Sequence, residues 1–412
     1  MLEARIEVGR PRVSVVVPCY NAERYVGQTL QSLVDQTYRD FEVIVVDDGS
    51  TDGSREVVEG FRDARIRTIC RENGGPAAAR NTGIAAARGE FIATLDADDL
   101  ALPHRLAAQL AAIEADPGLS VLSSGYTWID QDGQAIPWEH HSWQRYPELN
   151  NIRDWLFDCP FVPSATMFRR SAWEDVGGFD EELIGPEDWN FWMRLVLKGH
   201  RLAWHRDVVC LYRHRSDGVS HDAQRMTANC AKTLTGIMAH PEFPPELLEA
   251  GRQGLALRYV DGTKRLYLSG LWDEGKEALR KAIDLHPDLL AGEPCRIEDE
   301  LLNVTMDPLT RQPRAFLRQV LSHLPENAGH LLSRGEQMLA RCDLELFVRG
   351  LRERDWLTVL RQAWPVARAL SRRLSVRSTW ALFKRAAHSR LKAAKDRILP
   401  PRPAAPGTAD RR

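Results

Sequence analysis

FIATLDADDL, residues 91–100, joins a short apolar run to three aspartates in four positions, Asp96, Asp98 and Asp99. Like charges this close repel, so a buried strand needs a reason to end in them. Two similar runs precede it. VSVVV at 13–17 stops at Pro18, and FEVIVV at 41–46 leads into Asp47-Asp48-Gly49-Ser50. Each run is continuously apolar rather than alternating, as are strands covered on both faces of a parallel sheet. Helical patterns fill the intervals: Val26, Leu30, Leu33 and Val34 fall on one face, and 74–90 is alanine-rich between glycines. This alternation predicts a right-handed α/β layer fold, in which ligands lie beyond the carboxyl ends of the strands. Two of the three strand ends carry aspartates.

The 412 residues exceed what one compact core usually covers, so two or three domains are expected. No segment approaches the ~18 uncharged apolar residues of a spanning helix, and MLEARIEVGR at the start lacks the apolar core of a signal peptide. The seven cysteines are scattered with no CxxC spacing, which suits reduced thiols in the cytoplasm better than a disulfide framework or a zinc site. After about residue 225 strand-like runs disappear. YVDGTKRLYLSGLWDEGKEALRKAIDLHP, 259–287, reads as two helices joined near Gly270, and 314–324 as another. Charge is uneven: residues 346–412 hold 17 Lys or Arg against 4 Asp or Glu, on a chain whose net charge is −2.

Asp96 and Asp98 are two apart, so on an extended backbone they point the same way. Such a pair makes a site for a hard divalent cation, Mg²⁺ or Mn²⁺, whose charge cancels their repulsion and whose other ligands are waters and phosphate oxygens. A nucleoside diphosphate is the natural third partner. No GxGxxG follows the first strand, where VVVPCYN stands, and no GxxxxGK[ST] occurs, so a Rossmann dehydrogenase and a P-loop ATPase are set aside.

The run from VSVVVPCYN through VVDDGSTDGS, ENGGPAAARNTGIAAARGEFIATLDADD, GGFDEEL and PEDWNFWMRL resembles, in order, the family-2 inverting glycosyltransferases with the GT-A fold. The resemblance implies a Rossmann-like mixed sheet, mostly parallel, with helices on both faces, at 13–225. An all-α region follows: helices at 226–345, a basic helical stretch at 346–400 and a disordered tail at 401–412, with a further tail at 1–12. It implies transfer of a sugar from a nucleotide-diphospho-sugar, a UDP-sugar first, to a hydroxyl of a saccharide or lipid-linked acceptor, in cell-surface polysaccharide or glycoconjugate synthesis. By position, Pro18 and Tyr20 line the nucleotide base, Asp48 pairs with the base ring with Asp47 beside it, and Arg80 lies near the phosphates. Asp96 faces the ribose, Asp98 the metal (with Asp96 as second ligand), and Asp99 extends the cluster.

Inverting transfer needs a carboxylate to take the acceptor's proton. Glu187-Asp188 matches the family's ED motif at a helix start, which makes Asp188 the base and places Glu187 beside it toward the acceptor. Alone, such a pair would read as a first turn compensating the helix dipole. Of the aromatics that follow, Trp189 is the candidate sugar platform. Relatives carry YRxH after this helix; here the text is YRHRSDG, so His214 sits one place early and Arg215 takes the histidine's position, leaving Arg213 or Arg215 as a fixed cation for the diphosphate.

In 379–399, Trp380, Phe383, Ala387, Leu391, Ala394 and Ile398 share a face opposite Lys and Arg residues. A helix docked on the body and a peripheral anchor on an anionic membrane, at its cytoplasmic face, both fit this pattern. No nucleic-acid recognition module accompanies the charge. The alternative to an enzyme is a catalytically silent transferase-like scaffold in a polysaccharide assembly, against which Asp96, Asp98 and Asp188 stand.

Overall fold

The computed structural model describes residues 10–371 apart from 141, 216, 217, 219, 220 and 354. The amphipathic stretch 379–399 and the tail 401–412 lie outside the described residues. Among the described residues nine strands form one sheet: β1 (Val13–Cys19), β2 (Phe41–Asp47), β3 (Ile66–Cys70), β4 (Phe91–Thr94), β5 (Leu100–Ala101), β6 (Leu119–Ile129), β7 (Ala135–His140), β8 (Thr166–Arg169) and β9 (Arg201–Arg213). Their order is β3-β2-β1-β4-β8-β6-β9-β5, with β7 on β6. The sheet is mixed. β3, β2, β1 and β4 run parallel, β8 lies antiparallel to β4 and β6, and β9 runs parallel to β6.

The helices of this part are α1 (Val26–Val34), α2 (Ser54–Glu59), α3 (Gly75–Ala85), α4 (Arg105–Glu114), α5 (Ser142–Arg145), α6 (Ile152–Trp155), α7 (Arg170–Asp175), α8 (Glu187–Leu197), α9 (Ala223–Met238) and α10 (Leu248–Leu268). The continuous apolar runs are explained by two cores. Val13, Val15, Val17, Val43 and Val45 pack with Leu30, Leu33, Leu106 and Leu110 of α1 and α4. Val16, Ile44 and Val46 pack with Ala77, Ile84 and Phe191 of α3 and α8. Alternate side chains of β1 and β2 thus enter opposite cores, and neither face is left to water.

The chain leaves β1 by α1 to reach β2 and then β3, and returns by α3 to β4 on the other side of β1. The direction of winding therefore reverses between β1 and β4. Their carboxyl ends, carrying Tyr20 and Asp96–Asp99, open the crevice that an open α/β sheet offers to a ligand.

Backbone contacts divide the chain into two compact units, Met1–Ser269 with Glu277–Pro287, and Gly270–Lys276 with Asp288–Arg412. Helix α11 (Trp272–Leu285) follows α10 across Gly270, whose positive φ of 75° makes the turn that separates them. The second unit continues with α12 (Arg296–Thr305), α13 (Pro313–Ser322), α14 (His330–Ser333), α15 (Gly335–Glu353) and α16 (Trp356–Ser371). It buries Ile297, Leu301, Leu317, Val320 and Leu339, and Arg341 meets Asp299 across it at 2.6 Å. Among the described residues no strand follows β9, and no helix is long and apolar enough to cross a membrane.

Within the first unit, α10 approaches its neighbours through glycines. A methyl group at Gly254 would overlap the Leu156 carbonyl, and one at Gly262 the Thr227 side chain. Gly254→Val is therefore expected to lower stability by about 2 kcal/mol through overpacking against backbone that cannot retreat. An unchanged urea midpoint would refute that account of how α10 docks.

Candidate active site

The three aspartates after β4 each find a separate partner, an arginine side chain for two and a backbone N–H for the third. Asp96 Oδ1 accepts from Arg80 Nη2 at 2.6 Å, and its backbone N–H donates to Ser164 Oγ at 3.0 Å. Asp98 Oδ2 meets Arg215 Nη1 at 3.1 Å. Asp99 turns inward, 1% exposed, and Oδ1 accepts the backbone N–H of Arg213 at 2.7 Å. Burial pushes the acids of Asp98 and Asp99 up, Asp99 furthest, and neighbouring aspartates add to both shifts. The Asp96 and Asp98 side chains are 24% and 25% exposed. Only these two of the three present carboxylate to solvent in the crevice.

Arg80 is buried on α3 and divides its guanidinium. Nη2 goes to Asp96, and Nη1 to Glu187 Oε1 at 2.7 Å. It thereby ties the end of β4 to the first residue of α8. Glu187 engages its other oxygen as well, since Oε2 accepts from the Gly185 N–H at 2.7 Å. Gly185 sits at φ 111°, a backbone that other residues avoid, and a side chain there would overlap Met226. Glu187, expected beside the base and facing the acceptor, instead serves as the buried counter-ion of Arg80.

Asp188 is free of that duty. Its Oδ1 accepts from the Trp189 N–H at 2.7 Å, and it lines a cavity of about 140 Å³. Burial, then the adjacent Glu187 carboxylate, push its acid up to about 7, against the pull of Arg80 and the backbone N–H. A half-buried carboxyl with that affinity for a proton is suited to accept one near neutral pH. Trp189 does not form a sugar platform. It is 4% exposed, its indole N–H donates to the Trp155 carbonyl at 2.9 Å, and Arg258 lies over its ring. Packing against the α6 segment and Arg258 buries its ring, which reaches the Asp188 cavity only as part of its wall.

At the ends of β1 and β2, Tyr20 follows β1 with half its surface exposed, next to the partly buried Pro18. Asp47 ends β2 and accepts from the Ser50 N–H at 3.1 Å. Asp48 is buried beneath the start of α3, accepting from the N–H groups of Gly74 and Gly75 and from Arg71 at 3.0 Å. Burial nevertheless raises its acid. A cavity of about 550 Å³ is lined by Asn21, Glu23, Arg24, Tyr25, Asp52 and Arg215. Arg213 and Arg215 both lie over Tyr25, each 4.9 Å from its ring. Arg213 is committed internally: Nε donates to the Asp98 carbonyl at 2.7 Å and Nη2 to Gln28 at 3.0 Å. His214 instead stacks edge-on with Trp128, and it is Arg215, one residue on, that reaches Asp98.

Sequence reasoning missed Ser164, Arg213 as an organiser, Thr29, whose hydroxyl lies 2.8 Å from the Ala97 carbonyl, and Arg258. Of these only Arg213 stands in a motif, the YRHR segment, where its backbone role was not visible. A serine ahead of β8 and a threonine within α1 look like ordinary residues of their elements until the strands are paired.

Two carboxylates on one edge, reachable by solvent and with hard oxygen donors only, fit a Mg²⁺- or Mn²⁺-type ion. Among the described residues no group of three His, Cys, Asp or Glu side chains could hold a metal, so waters and a ligand's oxygens would complete its shell.

Residues 14–177 match the profile described as glycosyl transferase family 2. The uncharacterized glycosyltransferase EpsJ of Bacillus subtilis is 50% identical over 218 residues, covering 51% of this chain and 63% of EpsJ. TuaG of Bacillus subtilis, provisionally named as a glycosyltransferase of teichuronic acid biosynthesis, is 30% identical over 215 residues, 51% of this chain and 82% of TuaG. S. aureus TarS 1-349, solved in complex with UDP-GlcNAc, superposes over 78% of this chain and 92% of that one, with a TM-score of 0.53 and 23% identity. The TarS likeness identifies the GT-A fold. The profile runs from β1 through β8 and takes the aspartate-bearing strand ends with it, and the match to TuaG spans most of that protein, so the chain belongs to glycosyltransferase family 2.

Proposed function

We propose that the protein transfers a sugar, with inversion, from a nucleotide-diphospho-sugar to an acceptor hydroxyl, with Asp188 as the general base. The observation that carries this reading is the Arg80 bridge, which joins Asp96 on β4 to Glu187 on α8 and so brings the donor-side carboxylates and the base to one end of the sheet. Pro18, Tyr20, Asp47 and Asp48 surround the nucleotide. Asp98, with Asp96, would hold Mg²⁺ or Mn²⁺, and such an ion, when bound, neutralises the diphosphate leaving group without moving a proton. Arg215 supplies a fixed positive charge to the same place, Asp99 keeps the turn rigid by holding β9, and Arg80 aligns α8 with it. On the far side, Asp188 accepts the proton of the attacking hydroxyl. TuaG's name supports a place in polysaccharide synthesis, for which a saccharide or lipid-linked acceptor is proposed, and the complex that names UDP-GlcNAc is a reason to begin with UDP-sugars. Contact of 379–399 with a membrane surface is part of the same proposal.

The test is a thermal-shift screen of UDP-, GDP- and dTDP-sugars with and without Mn²⁺. A ligand at 100 times its Kd adds about 2.7 kcal/mol, which raises the melting temperature by several degrees. The rise is expected only with metal and is expected to vanish in Asp98→Ala. No response to any nucleotide sugar would overturn the reading.

A further inference from the structure

The cavity containing Asp188 is not closed by the α/β sheet alone. Its other walls come from α9 and α10, through Met226, Cys230, Arg258, Asp261 and Arg265. Arg258 is the odd member. Its guanidinium lies 5.9 Å from the Trp189 ring centroid, a cation–π contact. Its Nε is buried without a hydrogen-bond partner, and its charge helps to lower the acid of Asp261 on the next turn. Asp261, one turn further along α10, takes its ion pairs from Lys264 and Arg265, each at 3.3 Å. Asp158, also on the wall, accepts from the Tyr146 hydroxyl at 2.7 Å and lies 3.5 Å from Arg145. The other carboxylates of the cavity therefore have side-chain partners of their own, whereas Asp188 has the Trp189 backbone N–H. Asp261 thus shares its charge among three cations, and a half-buried guanidinium whose Nε–H has no acceptor is costly unless a ligand completes it.

We infer that Arg258 forms an oxyanion subsite for the acceptor, so that the hydroxyl facing Asp188 belongs to a saccharide or lipid-linked molecule that carries a phosphate or carboxylate close to it. This rests on the proposed role of Asp188 and extends it. The planar fork of arginine matches either oxyanion in a bidentate manner. The helices after the sheet then have a function in the reaction: α10 reads the charge of the acceptor, while the strand ends handle the donor.

Isothermal titration of the full-length protein tests this, with glycerol 3-phosphate and glucuronate as probes and glycerol and glucose as neutral counterparts. Each titration is run with and without UDP and Mn²⁺, so that binding at the donor side is recognised by competition. At least one oxyanion is expected to bind, more weakly as salt rises, and its neutral counterpart not to bind. Which of the two binds identifies the group as phosphate or carboxylate. Arg258→Gln is expected to weaken that affinity about tenfold, the loss of one charge-assisted contact. Arg258→Lys, which keeps the charge and loses the fork, is expected to fall between. Arg252→Ala, exposed on the same helix and paired with Glu249, is expected to bind as the parent does. Failure of both oxyanions to bind, or equal affinity in parent, Arg258→Gln and Arg258→Lys at unchanged melting temperature, would overturn the subsite. UDP that fails to bind with Mn²⁺ overturns the donor reading instead, and leaves the Arg258 comparison to be judged by itself.

Discussion

Asp188→Asn is expected to abolish transfer while leaving the protein at least as stable as the parent. General-base catalysis contributes roughly 10²–10⁴-fold, so kcat is expected to fall about 10³-fold. Stability runs the other way because of where the carboxylate sits. Burial and Glu187 raise its acid to about 7, well above the unfolded value near 3.9. Between those two values the folded chain holds a proton that the unfolded chain has released. The site's contribution to stability is therefore complete below the unfolded value and is lost as pH climbs through about 7. The amide removes that loss, and its melting temperature at pH 8 is expected to match or exceed the parent's. The same affinity sets the pH profile: log kcat/KM of the parent is expected to fall with unit slope below about pH 7, where the base is protonated, and to level above it. Activity within tenfold of the parent, or a profile flat from pH 6 to 8, would remove Asp188 from the role of base.

Arg80→Met is expected to fail in both respects, losing stability and activity together. Arg80 and Glu187 are both buried, and the pair lies at 2.7 Å. Removing the cation leaves Glu187 charged in the interior, a change that costs about 3–5 kcal/mol. The Asp96 half of the bridge is a quarter exposed and water screens it, so its share is smaller. Adding Glu187→Gln to Arg80→Met is expected to recover part of the lost stability, since the orphaned charge goes with it, but not the donor-dependent thermal shift, because α8 and β4 remain uncoupled. Urea unfolding of the two single variants and the double variant measures this coupling. A parent-like midpoint in Arg80→Met would show that the bridge contributes nothing.

The parallel half of the sheet was legible because burial on both faces writes itself locally. VSVVV, FEVIVV and FIATL correspond to β1, β2 and β4 within two residues at either end. The antiparallel half left no such mark. β6, LSVLSSGYTWI, and β9, RLAWHRDVVCLYR, mix polar and apolar residues, and their pairing spans about 80 residues of chain. Ser123 and Ser124 look like loop residues, yet they are buried in β6, where Ser124 accepts from Gln109 and Ser123 lies 3.2 Å from Thr166. The carboxylates of the site were equally legible, and the roles of their neighbours were not. Glu187 matched a motif, but what it pairs with depends on an arginine 107 residues away.

By itself, then, the sequence determined the α/β class, the strand ends at which aspartates gather, and the helix start that bears Asp188. Continuous hydrophobicity, turn chemistry and motif spacing are local properties. Only the tertiary structure decided how three aspartates could stand within four residues of one another. Asp96 takes Arg80 of α3, Asp98 takes Arg215, and Asp99 takes the backbone N–H of Arg213, groups lying 16, 117 and 114 residues away in the chain. Repulsion between neighbours is visible in ten letters. The groups that answer it reach the crevice only because the sheet reverses its winding at β1 and β9 returns its end to the turn after β4, and a distance through space has no fixed counterpart along the chain.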